Sequence, residues 1–335
     1  MLTVTELKKS EDGHWRSENL EVFPGAIAEG SILWVDAEDP TEAEMQQVRK
    51  RFALDFNLKE FEEPSLRSRI EEVEDQINCF IRYPDSDKFV SDTKSTWIAL
   101  TVSDKWLVSV HKGRSDITCE IYKKISTHGY SALSLAPSTD ILLYILLDLI
   151  LNECFSVSDL VHERLQSLSQ EAAGRFRQGP KDTDRRSLGP EISKSREQVL
   201  SLRQSLGPLR EVVGRITRGE FFIISSATLT RFEDLYDRTI SLIDVVDTHR
   251  EEIQDIVDII INAQTLTTNN IIRILTIISA IFLPLTLIAG IYGTDFGNGF
   301  TLPGSTSNYG FYVMVIVMIG VALALIAVFR RKGWL

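Results

Sequence analysis

Between Arg273 and Arg330 the chain carries a single charged side chain, Asp295, whereas the residues before Arg273 are densely charged. Such a tail limits what the chain can fold into. Two stretches inside it, about Ile274 to Tyr292 and about Tyr309 to Phe329, are apolar and long enough to cross a bilayer, which takes roughly 20 residues of helix. Gly297, Asn298, Gly299, Pro303, Gly304 and Asn308 form a short turn-rich connection between them. The alternative, a buried core hairpin in a soluble protein, would need two uncharged runs of a length that is rare in soluble chains.

Charge sets the expected orientation. The connection has no Lys or Arg; Arg273 precedes the first stretch, and Arg330, Arg331 and Lys332 follow the second. Positive flanks collect on the cytosolic side, so both termini are expected there, with the connection outside, in the inner (plasma) membrane. The polar segment Met1 to His14 has no apolar core, and no cleavable leader is expected. A net charge of -11 argues against nucleic acid as a partner and is compatible with attracting cations. Cys79, Cys119 and Cys154 lie far apart and read as reduced structural thiols.

The polar body divides in two. Residues 1–135 read as a mixed α/β cytosolic domain. Strands are expected at Ile32 to Asp36, Gln76 to Tyr83, Thr96 to Val102 and Trp106 to His111, with a turn at Ser103-Asp104. Thr41 with Glu44 is a capping box for a helix to about Phe52. Residues 136–270 read as a stalk of long helices, and 271–335 as a two-helix transmembrane domain. The stalk helices are expected at Asp140 to about Gln178, at about Asp184 to Arg218 with interruptions at Gly189-Pro190 and Gly207-Pro208, and from about Thr228 onward. Neither Gly nor Pro occurs from Glu220 to Leu283. The third helix is therefore expected to continue into the first membrane span, a rod of roughly 90 Å at 1.5 Å per residue.

One stripe of this rod changes character along its length: Asp244, Asp247, Glu251, Asp255, Asp258, Asn262, Thr265, Asn269, Ile272, Thr276, Ser279, Leu283, Thr286 and Gly290. It runs from acidic, through neutral-polar, to mixed hydroxyl and aliphatic. Polar groups inside a span face protein or water rather than lipid, which points to a cation path. A solvated stalk face, with Thr and Ser hydroxyls bonded back to their own helix, is the plainer account. A second periodicity, through Leu229, Phe232, Tyr236, Thr239, Ile243, Val246, Arg250, Ile253, Val257 and Ile260, calls for a partner: core packing against the second long helix, or a neighbouring subunit.

The run Leu275-Thr276-Ile277-Ile278 through Pro284-Leu285-Thr286 to Ile291-Tyr292-Gly293-Thr294-Asp295-Phe296 resembles the CorA family of magnesium channels and its ZntB zinc-transporting relatives. Phe232, Asp234, Tyr236, Asp237 and Thr239 are similar to the family's stalk motif. Pro208-Leu209-Arg210-Glu211 and the ending Lys332-Gly333-Trp334-Leu335 also fit. The resemblance covers Asp140 to the end well and is weak over the first 130 residues. It implies a funnel-shaped homopentamer with the first span lining the pore at Asn269, Ile272, Leu275, Thr276, Ser279, Leu283, Thr286 and Gly290. Ile272, Leu275 and Leu283 would be aliphatic constrictions. Arg330, Arg331 and Lys332 would ring the inner mouth, or serve as topology anchors.

The family's Gly-Met-Asn signature is replaced here by Gly293-Thr294-Asp295. A ring of Asn holds hydrated magnesium through its waters, whereas a ring of Asp adds charge and binds divalent ions more tightly. Magnesium, zinc, cobalt and nickel all remain open as the transported ion. The plainer role for Asp295 is a cap at the helix end. The resemblance also implies a regulatory divalent site at Asp234, with Asp87 or Asp85 across a subunit interface. No cofactor is implied beyond divalent cations, magnesium or zinc, as substrate and regulator. The alternative function is a non-conducting, membrane-tethered divalent-cation sensor or assembly protein. An enzyme is not expected: His14, His111, His128, His162 and His249 are scattered, and no phosphate loop, His-Glu-x-x-His or Gly-x-Ser-x-Gly occurs.

Overall fold

The computed structural model describes residues 1–9, 15–20, 22–54, 67–85, 89, 95–113, 116–127, 137–178, 185–293 and 310–334. These form two compact units, Met1–Glu171 with Arg186–Ile256, and Ala172–Arg185 with Val257–Leu335.

The first unit is built around a mixed sheet whose seven described strands are β1 (Leu2–Lys9), β2 (Trp15–Leu20), β3 (Ser31–Glu38), β4 (Arg69–Val73), β5 (Gln76–Pro84), β6 (Ser95–Val102) and β7 (Trp106–His111). Their order is β2-β1-β3-β7-β6-β5-β4. The central pair, β3 and β7, is parallel, and all other neighbours are antiparallel. The β6–β7 hairpin turns at Ser103-Asp104 as the sequence predicts, closed by Ser103 N donating to Trp106 O at 2.9 Å. Strands β1, β2 and β4 were not anticipated: they are charged, and their outward residues hide the alternation.

β3 is buried along nearly its whole length because both faces are covered. Helix α1 (Glu42–Phe52) covers one face, placing Met45, Val48 and Phe52 against Leu33, Val35, Ala37, Val108 and Val110. Its predicted capping box is present, with Glu44 N donating to Thr41 Oγ1 at 3.3 Å and Thr41 N donating to Glu44 at 2.8 Å. The other face of the central strands carries a buried polar cluster. Trp34 Nε1 donates to Ser109 Oγ at 2.9 Å, Ser109 Oγ donates to Asp36 at 2.5 Å, and His111 Nε2 lies 3.2 Å from the same carboxylate.

Five further helices follow among the described residues: α2 (Asp116–Thr127), α3 (Thr139–Gln178), α4 (Arg185–Thr217), α5 (Ser226–Gly293) and α6 (Gly310–Arg331). Helix α4 runs through Pro190 and Pro208, which were expected to interrupt it. Helix α5 is a single element of 68 residues that also passes through Pro284. Its first turn is tied to the start of α3, where Asp140 accepts from Ser225 N at 3.0 Å. Burial alone would raise the Asp140 carboxyl, but hydrogen bonds from Ser138, Ser225 and Thr228 outweigh it and hold the group below its usual range.

Within the first unit, α5 buries Thr228, Phe232, Leu235, Thr239, Leu242, Val246, His249, Ile253 and Ile256, in steps of four and three residues. This seam settles the open question of its partner. Tyr144 of α3 meets Phe232 edge-on at 5.6 Å. Arg238 pairs with the buried Asp148 of α3 and donates to Asn152 at 2.6 Å. From α4, Arg203 grips Asp247 with contacts of 2.7 and 3.1 Å. The seam is core packing against both preceding helices. Its register differs from the predicted one at every second step: Thr228, Leu235, Leu242, His249 and Ile256 are buried, whereas Leu229, Tyr236 and Ile243 are half-buried and Arg250 and Val257 exposed.

The buried His111–Asp36 pair makes stability depend on pH. Burial disfavours the charged ring, yet the Asp36 carboxylate outweighs it and the imidazole pKa is raised above its ordinary 6.5. A raised folded pKa contributes stability that is complete below about 6.5 and is lost as pH rises through the folded value. Chemical denaturation of the first unit should therefore show a midpoint that falls as pH is raised from about 6.5, and Asp36→Asn should remove that fall.

Candidate functional site

The candidate stripe lies on α5, and its surroundings differ between the two units. In the first unit Asp244, Glu251 and Asp255 are exposed. Asp247 is not free: the bidentate contact with Arg203 takes up its charge. The expected acidic run is therefore interrupted at this position, since a paired carboxylate attracts a passing cation less. Asp234, one helical face away, is also exposed. Asp85 directly follows β5, and Asp87 lies outside the described residues.

In the second unit, α5 and α6 are the apolar pair. Three described helices are long and apolar enough to cross a membrane. The window on α3 is 78% buried inside the protein, whereas those on α5 and α6 are 6% and 0% buried. Helix α3 is a core helix, and its apolar length is used up by packing. The bare windows on α5 and α6 coincide with the two apolar stretches that the sequence marks as long enough to cross a bilayer.

The two bare helices do not present all sides equally. On α5 the half-covered or buried residues are Arg273, Ile277, Ala280, Ile281, Pro284, Leu285, Ile288 and Tyr292. At 100° per residue these cluster on one side. Asn269, Ile272, Leu275, Thr276, Ser279, Leu283, Thr286 and Gly290 are all exposed and fall on the opposite side. Leu275 is 62% exposed and Leu283 77%, a degree of exposure that no packed interior tolerates. The hydroxyls of Thr276 and Thr286 donate to the carbonyls of Ile272 and Phe282 at 2.7 and 2.8 Å. The plainer account of these hydroxyls therefore holds for their protons. Each oxygen still keeps acceptor capacity toward the exposed side.

The ends of the pair are fastened. The Arg273 guanidinium donates to the Gly333 carbonyl. Helix α6 ends at Arg331; Gly333, in the turn that follows, has a φ of 68° that suits a residue without a Cβ, and Trp334 stacks on Phe329 at 5.9 Å. Arg330, Arg331 and Lys332 are exposed around this cap. The start of the first apolar stretch and the end of the second thus share one level. Of the signature, Gly293 ends α5, while Thr294 and Asp295 lie outside the described residues.

The comparisons with known proteins decide the family. The family described as CorA-like Mg2+ transporter protein matches residues 29–331. The chain belongs to that family. The cobalt/magnesium transport protein CorA of Methanocaldococcus jannaschii is 26% identical over 340 residues, covering 100% of each chain. Its Thermotoga maritima counterpart is 26% identical over 269 residues, 80% of this chain and 73% of the relative. The zinc transport protein ZntB of Photorhabdus laumondii is 24% identical over 140 residues, 42% of each. Among solved structures, the complete CorA magnesium transporter of M. jannaschii matches with a TM-score of 0.82 at 22% identity, covering 99% of this chain and 98% of that one. The likeness thus extends over the first 130 residues, where the sequence resemblance was weak.

The structure also brings together two residues that the sequence reading set aside. His162 and His249 stack with ring centroids 5.4 Å apart, and Glu252 lies beside both. Their separation along the chain hides the pairing. The signal that could have exposed it is a polar residue, His249, on the buried seam of α5.

Proposed function

We propose that the chain moves divalent metal cations across a membrane, as one subunit of a homopentamer whose pore is lined by α5. The observation that carries this is the bare stripe from Asn269 to Gly290, which lies opposite the side of α5 that is covered. A hydroxyl- and glycine-bearing stripe left open on a membrane-length helix needs water or other protein against it. Two spans cannot enclose a channel alone, so several copies each donate one lining helix. Family membership supports the same reading, and the relatives are named for magnesium, cobalt and zinc.

Ile272, Leu275 and Leu283 are the aliphatic rings of this pore, able to shut it by excluding water. Thr276, Ser279, Thr286 and Gly290 supply wetter steps between them. The shared level of Arg273 and Gly333 supports an antiparallel pair of spans, with both termini in the cytosol beside Arg330, Arg331 and Lys332. Gly293, Thr294 and Asp295 stand at the outer mouth. Crowded Asp carboxylates there hold a divalent ion more tightly than an Asn ring, and so weaken selectivity for reluctantly dehydrated magnesium.

Thiol labelling tests the lining. Cys79 and Cys154 are buried and Cys119 is exposed, so Cys119→Ser gives a quiet background. A charged, water-soluble reagent should modify Ser279→Cys and Thr286→Cys and spare Ile278→Cys and Phe282→Cys; equal labelling of the two sets would remove the lining assignment. Flux into proteoliposomes tests the function itself. Wild-type protein should carry divalent ions, and Asp295→Asn should keep flux while shifting competition toward magnesium. Absence of flux for every divalent ion tried would favour the tethered sensor instead. Asp234, exposed on α5, is the proposed carboxylate at which cytosolic divalent ions join neighbouring subunits, with Asp87 as its partner. Asp234→Ala should weaken closure by these ions severalfold in the same assay, and an unchanged response would discard that role.

A further inference from the structure

The histidine pair on the stalk has the geometry of a metal site. Helix α3 supplies His162; helix α5 supplies His249 and, three residues on, Glu252. One ligand atom from each lies within 4.8 Å of the others. Glu252 Oε2 is 3.6 Å from His162 Nδ1 and 3.7 Å from His249 Nδ1. These separations are too long for hydrogen bonds. They are close to the edge of a tetrahedron around a zinc-like ion, about 3.4 Å for metal–ligand bonds near 2.1 Å.

Two independent features point the same way. Both Nδ1 atoms are sealed from solvent and have no hydrogen-bond partner. Orphaned buried nitrogens are uncommon, and two facing one carboxylate oxygen are explained by an ion between them. The far sides of the rings are held. His249 Nε2 is 3.0 Å from Ser158 Oγ, which as acceptor fixes the proton on Nε2 and frees the Nδ1 lone pair. His162 Nε2 is 2.9 Å from Gln166 Nε2, and a 180° turn of that amide brings its carbonyl oxygen to the same place to accept from Nε2–H.

We propose that His162, His249 and Glu252 bind a borderline divalent cation of the zinc, cobalt or nickel class, which fastens α3 to α5. Two imidazoles and one carboxylate discriminate against magnesium, which prefers oxygen ligands only. The half-exposed side chains of His162 and Glu252 leave a fourth position open to water. The site stands apart from the α5 stripe and does not depend on whether the chain conducts.

The test uses the full-length protein in detergent, titrated with cobalt in a large excess of magnesium, which occupies oxygen-only sites. Wild-type protein should develop the visible absorption of low-symmetry, nitrogen-ligated cobalt at one equivalent per chain. Zinc should displace it and raise the thermal midpoint, because an ion bound only by the folded state stabilises it. His162→Gln should weaken cobalt binding by at least tenfold and abolish the zinc-dependent rise. Glu252→Gln, at a half-exposed position, serves as the second variant should His162→Gln fold poorly. A cobalt spectrum and zinc-dependent rise unchanged in both variants, or no such spectrum in wild-type protein, would overturn the proposal.

Discussion

The seam of α5 against α3 and α4 is the contact on which the rest of the molecule depends. From Phe232 to Ile256 the helix is wedged by Tyr144, clamped at Arg238 by the buried Asp148, and gripped at Asp247 by Arg203. An isolated helix gains little from its own hydrogen bonds in water, and most helical stability comes from a packed face. The first unit supplies that face. Beyond it the same helix carries Asn269, Ile272 and Leu283, which none of the described residues cover. One stretch of helix is thus determined by its own protomer, and the next is left for water, lipid and other copies to complete.

Charge is handled differently in the two stretches. Within the first unit, several carboxylates are matched by specific partners: Asp148 by Arg238, Asp247 by Arg203, Asp36 by His111, and Asp140 by donated hydrogen bonds that favour its ionised form. Others, such as Asp244, Glu251 and Asp255, are exposed to solvent. Breaking one of the buried pairs from the positive side strands an uncompensated carboxylate, the costliest kind of single change. The exposed acids carry no such structural duty, which leaves them free for an electrostatic one.

The sequence made the membrane half legible because lipid imposes a strong rule: twenty uncharged apolar residues with basic flanks have few other uses. The unbroken α5 was equally readable from the absence of Gly and Pro. The prolines of α4 misled because the helix buries Val199, Leu202, Leu206, Leu209, Val213 and Ile216, and that packed face offsets the lost hydrogen bonds that would break an isolated helix. The charged edge strands β1, β2 and β4 were missed because strand identity there comes from pairing partners, not from the strand's own pattern. Of the candidate site, the stripe's direction followed from periodicity, whereas the clasp on Asp247 required knowing which residue of α4 faces it. The meeting of His162 and His249 was hidden for the same reason. Asp87, Thr294 and Asp295 lie outside the described residues, and their roles rest on the motif alone.

The cap that ends α6 has a mechanical side. Because the Arg273 guanidinium holds the Gly333 carbonyl, α6 is buckled to α5 where the first apolar stretch begins and the second ends. A tilt of α5 that widened the proposed channel would drag α6 through the surrounding lipid. Bilayer thickness and stiffness then become part of the load against which each subunit opens.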